Sequence, residues 1–316
     1  MIGVLITNLG TPDAPTPKAV KKYLAEFLSD PHVINLPKLI WLPLLYGVIL
    51  QVRPRRVAEL YKRIWMDSGS PLLVHSQKLT EKVGDAIPKD IKVILGMRYG
   101  NPSIPAALDK FKQLKVDKLI VLPLYPQFSG TTTDSTFDLI KNEINQWRKK
   151  PTLNLINNYH NNPIYIKSIA DSISKGWQPA PGKFLLFSFH GIPKSNVDAG
   201  DPYATQCRHT AELIALKLQI PDENYGIAFQ SRFGYTEWLQ PYTSEILKEL
   251  PNHGFKNVTV VCPGFAVDCL ETLEEIQDQN RSVFLAAGGE EFFYIPALND
   301  DPGQVELMAS LIKANL

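Results

Sequence analysis

Short runs of Val, Ile and Leu alternate with longer amphipathic stretches along most of the chain. The apolar runs predict strands over residues 3–9, 92–97, 118–124, 183–189, 225–230, 257–262 and 283–287. The amphipathic stretches predict helices over 19–27, 52–66, 104–114, 135–148, 205–218 and 243–250. Strands rich in branched apolar residues, alternating with helices, are the pattern of parallel sheets covered on both faces.

The two halves of this pattern resemble each other. LITNLGTP (5–12) matches LFSFHGIP (186–193), MRYG (97–100) matches SRFG (231–234), and DKLIVLPLYP (117–126) matches KNVTVVCPGF (256–265). The offsets are 181, 134 and 139, so the first half carries some 42 to 47 extra residues between 12 and 97. The expected fold is therefore α/β. It has two similar Rossmann-like, doubly wound lobes, 1–148 and 152–316, with an insertion at about 30–70 in the first. A linker is expected near 145–155, where RKKP interrupts the pattern, and the last helix, about 303–314, is expected to cross back onto the first lobe. Such folds bind ligands beyond the carboxyl ends of their strands, which here predicts a cleft between the lobes.

Composition narrows the function classes. A length of 316 residues suits two domains, 44% hydrophobic and 21% charged residues are globular proportions, and a net charge of +1 supplies no field for nucleic acid. Three scattered cysteines, Cys207, Cys262 and Cys269, form no Cys-x-x-Cys pair and suit a reducing compartment. The chain opens directly into an apolar strand with no export signal before it, so a cytoplasmic location is expected. The segment 36–52, LPKLIWLPLLYGVILQV, is nearly as apolar as a membrane span, but it is short and is broken by Lys38, Pro37 and Pro43. It reads either as a buried helix or as an exposed apolar lip that touches a membrane or a large flat ligand.

The strand ends hold the candidate chemistry. His190 closes the run KFLLFSFH before the turn Gly191-Ile192-Pro193, and a neutral imidazole there can accept a proton or ligate a divalent ion. Glu271, Glu275 and Asp278 recur at i, i+4 and i+7, one face of an α-helix. That row reads either as a solvated surface or as carboxylates leading a cation inward from solvent. Tyr125, Phe128, Phe189, Phe233, Trp238 and Phe265 supply rings that suit a large planar ligand or simply a core. No Gly-x-Ser-x-Gly elbow, phosphate loop or dinucleotide fingerprint is present.

Together the motifs LGTP (9–12), YKRIWMDSGSPL (61–72), GMRYGNP (96–102), LPLYPQFSGTTTDS (122–135), FSFHGIP (187–193), GDPYATQC (200–207), FQSRFG (229–234) with Trp238, and PGFAVDCLETLEEI (263–276) run through nearly the whole chain. In this order they resemble the ferrochelatase family, and most of all its Gram-negative bacterial members. The resemblance implies insertion of Fe2+ into protoporphyrin IX to give protoheme and two protons, the last step of heme biosynthesis. It implies that His190 and Glu271 are the catalytic and iron-binding pair. Glu275 and Asp278 would form a metal path, and Leu9, Arg53, Arg98, Tyr125, Trp238 and Phe265 would line the porphyrin pocket. Ser70 would lie near its mouth.

On the same resemblance the segment 36–52 is a porphyrin-facing lip that can rest on the inner membrane. Iron is then a substrate, and no resident cofactor is expected. In particular no iron–sulfur cluster is expected, since three scattered cysteines cannot supply four thiolates. The chain departs from some relatives in having Cys269 where a second His precedes the catalytic Glu. Asp13 follows the Gly-Thr-Pro turn where coproporphyrin-specific members have Tyr. Two other classes would share parts of this pattern. A tetrapyrrole carrier would need the rings without the acidic row, and a cobalt chelatase for a carboxylate-rich ring would need a more basic pocket.

Overall fold

The computed structural model describes every residue except Asn35, Phe233 and Tyr235; Phe233, one of the candidate rings, thus lies outside the described residues. Contacts divide the chain into two compact units. Unit 1 comprises Met1–Tyr125, Ser129–Asn157 and Val305–Leu316, and unit 2 comprises Pro126–Phe128 and Asn158–Gln304.

In unit 1 the strands are β1 (Ile2–Thr11), β2 (Lys92–Gly100), β3 (Lys118–Pro123) and β4 (Thr152–Leu155). They form one parallel sheet in the order β2-β1-β3-β4. In unit 2, β5 (Lys183–His190), β6 (Tyr225–Gln230), β7 (Asn257–Val261) and β8 (Glu291–Ile295) form a second parallel sheet in the order β6-β5-β7-β8. The matched segments thus occupy equivalent places: β1 corresponds to β5, β2 to β6 and β3 to β7.

Two predicted elements differ from the structure. Residues 283–287 belong to a helix, Arg281–Ala286, which continues from the segment Glu271–Asn280. A short apolar run cannot distinguish a strand from one buried turn of helix, and the adjoining helix decides it. The fourth strand is instead the partly exposed β8, and β4 lies within the segment read as a linker.

Each sheet is seated on its own apolar core. In unit 1, Leu5, Val121 and Leu119 pack with Ile104, Leu108 and Phe111 of the helix Ile104–Gln113 and with Phe137 and Ile140 of the helix Ser135–Asn145. In unit 2, Leu186, Ala228, Val258 and Val260 pack with Leu247, Ile276 and Phe284. Helices start sharply after loops because polar caps precede prolines. Thr16 caps the helix Pro17–Leu28, and Asn162 caps Pro163–Ser174.

The insertion of unit 1 is helical from Lys38 to Ile64, with an interior turn, Leu45–Ile49, in π geometry. It is not a buried helix. Trp41, Leu45 and Leu50 point inward, and the Trp41 indole donates to the Leu28 carbonyl at 2.6 Å. Leu39 (92% exposed), Val52 (71%) and Ile40 (67%), with Leu36, Leu44, Tyr46 and Val48, face outward. Among the described residues no helix is long and apolar enough to cross a membrane.

A buried ion pair fixes the carboxyl end of β2. The Asp30 carboxylate accepts from Arg98 Nη2 at 2.5 Å, Tyr99 Oη at 2.7 Å, Ser135 Oγ at 2.6 Å and the His32 amide at 2.8 Å. Burial alone would push this carboxyl up. The donors of Ser135, Tyr99 and His32, with the charge of Arg98, outweigh burial and hold it down at about 2. A carboxylate with a depressed folded-state pKa stabilises fully above its ordinary value of 3.8, and that stability is lost as pH falls toward 2. Asp30→Asn should therefore cost about 3 kcal/mol in urea unfolding at pH 7, because Arg98 is left buried without its anion. The deficit relative to wild type should shrink when unfolding is repeated between pH 4 and 2.

Candidate active site

His190 is the last residue of β5, next to the ends of β6 and β7. Its Nδ1 lies 2.6 Å from the Gly191 carbonyl oxygen. A carbonyl can only accept, so Nδ1 carries a proton, and in the neutral ring Nε2 is the nitrogen whose lone pair faces a proton or a metal ion. Gly191 permits this turn. A Cβ there would meet the Gln230 carbonyl oxygen at 2.9 Å and Trp238 Cε3 at 3.1 Å. The imidazole is flanked by Trp238 and Phe265, with ring centroids at 6.3 and 6.4 Å. The Trp238 Nε1 is buried, with no hydrogen-bond partner among the described residues.

The carboxylates stand on the helix Glu271–Asn280, which has π geometry: the Arg281 amide reaches back to the Ile276 carbonyl, five residues earlier. This geometry keeps Glu271 and Glu275 neighbours but rotates position i+7 off their face. The α-helical spacing that joined Asp278 to the row therefore does not hold, and Asp278 is exposed. π segments cost hydrogen-bond quality and occur frequently at functional sites.

Glu275 is deeply set. Its Oε1 accepts from the Ser231 amide at 2.7 Å, and its other oxygen accepts from the Ser231 hydroxyl. Ser231 holds a left-handed backbone, φ 66°, which aims both donors at one carboxylate. Burial pushes the Glu275 carboxyl up. The Ser231 donors and the charge of His190 oppose this, and Glu271 adds to it. His190, Glu271 and Glu275 thus form one electrostatic group at the carboxyl end of the second sheet.

Gln230 ties that group to the sheet. Its Nε2 donates to the Glu271 carbonyl at 2.8 Å, and its Oε1 accepts from Ser188 Oγ at 2.7 Å. Gln230 and Ser231 were not among the sequence candidates. Their signal is the motif FQSRFG (229–234), whose Arg-x-Gly repeats the one that closes β2. Cys269 is buried, and its thiol donates to Glu271; burial, then the Glu271 charge, push its pKa well up. Asp268, also buried, accepts from Tyr294 Oη at 2.6 Å, Thr272 Oγ1 at 2.9 Å and Asn299 Nδ2 at 2.8 Å, which anchors the first turn of the π segment.

In unit 1 the structure separates the pocket candidates by environment. Leu9 is partly exposed at the end of β1. The guanidinium of Arg98 is committed to Asp30, and its Nε donates to Ser135 Oγ at 2.8 Å. Burial pushes the Tyr125 phenol well up. On the insertion, burial and then the charge of Arg56 push the Arg53 guanidinium down. Ser70 is buried and accepts from Thr11 Oγ1 at 2.8 Å. Among the described residues no group of three or more His, Cys or carboxylate side chains is assembled to hold a metal ion.

Two helix-flanked, four-stranded parallel units with a His and carboxylates at strand ends define a chelatase-like α/β protein. The fold is similar to that of the solved SirB from Bacillus subtilis, at a TM-score of 0.58, 10% identity and coverage of 99% of this chain and 94% of that one. The ferrochelatase family model matches residues 1–316. Ferrochelatase 2 of Shewanella oneidensis is 48% identical over 320 residues, covering 100% of this chain and 98% of that protein. A ferrochelatase of Nitrosococcus oceani is 48% identical over 319 residues, covering 100% and 87%. The chain belongs to the ferrochelatase family, the metal chelatases that insert iron into protoporphyrin at the last step of heme biosynthesis.

Its raised pKa makes Glu275 a pH-dependent cost to the fold. The folded protein binds this proton more tightly than the unfolded chain, so burying the ionised carboxylate costs stability at neutral pH. That cost fades as pH falls through the raised value toward the ordinary 4.5. Glu275→Gln should be more stable than wild type at pH 7 in denaturant titrations, with the difference shrinking toward pH 4.5. A variant less stable than wild type at pH 7 would show that the Ser231 contacts outweigh desolvation.

Proposed function

We propose that His190, Glu271 and Glu275 carry the iron insertion. Supporting this is the convergence of three titratable groups at the carboxyl end of the second sheet, with the His190 Nε2 lone pair left available. Free protoporphyrin holds two inward N–H protons, and a dication cannot occupy the ring until both leave. His190 Nε2 accepts one pyrrole proton and the Glu271 carboxylate the other, and both pass to solvent. Glu271 and Glu275 offer oxygen ligands that exchange the waters of Fe2+ and then release it to the ring nitrogens. Charge balances: one dication enters and two protons depart. Asp278, exposed but turned off the face that Glu271 and Glu275 share, lies outside this path.

Trp238 and Phe265 offer faces to the macrocycle beside His190. Arg53 is the pocket's cation for a propionate. Arg98 serves indirectly, by holding the end of β2 through Asp30. Distorting the ring would expose its nitrogen lone pairs, with binding energy spread over the macrocycle meeting the cost. Iron is consumed as substrate, and the reading requires no resident cofactor.

The substrate is apolar, and the exposed face of the insertion matches it. Leu39, Ile40 and Val52 present side chains to solvent beside the exposed cations Lys38, Arg55 and Arg56. Such a surface binds the acyl boundary and the anionic headgroups of a bilayer together. A cytoplasmic enzyme resting peripherally on the inner membrane would receive the porphyrin there.

Two measurements test these assignments. His190→Ala and Glu271→Gln should each lower metalloporphyrin formation at least ~100-fold while leaving thermal unfolding near wild type. Near-normal turnover of either variant would overturn the role of the residue replaced. The pair Leu39→Glu and Ile40→Glu should weaken co-sedimentation with anionic vesicles without loss of stability, since both side chains are already exposed. Unchanged vesicle binding would remove the membrane role from this face.

A further inference from the structure

Away from the strand ends, unit 2 brings two imidazoles together. His160 lies in the turn before the helix Pro163–Ser174, and His209 lies on the helix Tyr203–Leu218. His209 Nδ1 is 3.3 Å from His160 Nε2, with ring centroids 5.4 Å apart. Two nitrogens each at about 2.0–2.1 Å from a tetrahedral ion are separated by about 3.3–3.4 Å. The pair therefore already spans one edge of such a site.

Two further contacts point the same way. His160 Nδ1 lies 2.8 Å from Asn158 Oδ1. With the Asn158 oxygen accepting, Nδ1 carries the proton and Nε2 turns its lone pair toward His209. A metal-bound imidazole characteristically donates its other N–H to an oxygen in this way, which fixes the tautomer and raises the basicity of the ligating nitrogen. The backbone is also fixed in advance. Thr210, next to His209, donates through Oγ1 to the His160 carbonyl at 2.8 Å, and Gln127 Nε2 donates to Thr210 Oγ1 at 3.0 Å. Bringing the two rings together costs little further ordering. Burial, then the neighbouring His209, hold the His160 pKa down, which favours the neutral form that binds metal.

We propose that His160 and His209 form a second, surface site for a borderline divalent cation of the Zn2+, Co2+ or Ni2+ class, separate from the insertion site. Among the described residues no third His, Cys or carboxylate joins them, so water completes the coordination. The site is accordingly open and exchangeable. Imidazole donors favour these ions over Mg2+ and Ca2+, which prefer oxygen. The three cysteines are buried and do not compete for the ion.

The test uses the full chain carrying His190→Ala and Glu271→Gln, which silences the insertion site. Equilibrium dialysis and the visible absorption of Co2+, repeated with Zn2+, should show one bound equivalent in that background. Adding His209→Ala should remove it, and His160→Asn should do the same. His209 is exposed, so its truncation should leave the fold unchanged, and in the otherwise wild-type chain iron insertion should stay within about twofold. The proposal is overturned if the silenced chain binds no Co2+ or Zn2+. It is overturned equally if the equivalent persists in both histidine variants, in which case the two rings are joined by an N–H···N hydrogen bond alone.

Discussion

A carboxylate withdrawn from water must find donors or lose its charge, and Glu275 sits at that limit. Its two donors, the amide and hydroxyl of Ser231, come from one residue held in a left-handed conformation just beyond β6. Ser231 can hold that position because Gln230, the residue before it, is locked to Ser188 of β5 and to the Glu271 backbone. The acidic segment, the central strand and the strand-end loop are thereby one connected unit. The rest of the site follows from this: His190 emerges from the same strand as Ser188, two residues on, and its imidazole interacts electrostatically with Glu275. Partly compensated burial leaves a carboxyl whose pKa is raised, which suits the role proposed for it with protons and a dication.

The duplicated topology has been put to different uses. Both sheets place their first strand centrally and have the same order, yet the position matching His190 in the first is Leu9. Where unit 2 uses the end of β6 to hold the Glu275 carboxylate, unit 1 uses the end of β2 to bury an ion pair. Arg98 and Tyr99 there clasp Asp30 with Ser135, an arrangement suited to rigidity rather than to exchange. The same sequence motif, Arg-x-Gly, thus closes β2 at a structural lock in one unit and follows the Ser231 that holds Glu275 in the other.

The insertion solves a separate problem. A segment this apolar would ordinarily be buried, but only Trp41, Leu45 and Leu50 are needed to seat it, with the Trp41 indole bonded to the end of the preceding helix. The remaining apolar side chains lie outward. Singly exposed apolar residues are common on any protein, whereas a contiguous set on one helix is not.

Alternating apolar runs were enough to locate six of the strands, because a buried parallel strand must be apolar throughout. The position of His190 at a strand's end was legible for the same reason, and the row containing Glu271 and Glu275 could be read from its spacing. What the sequence could not decide depended on hydrogen bonds between distant segments. The π geometry that turns Asp278 away, the helix in place of a strand at Arg281–Ala286, and the short strands β4 and β8 are all set by neighbours, since local propensity is nearly balanced there. Arg98 drew attention as a pocket cation, and only the fold showed its charge spent on Asp30, 68 positions away. Periodicity records which face of an element is buried. It carries no record of which partner satisfies a polar group, and that is what the tertiary structure decided.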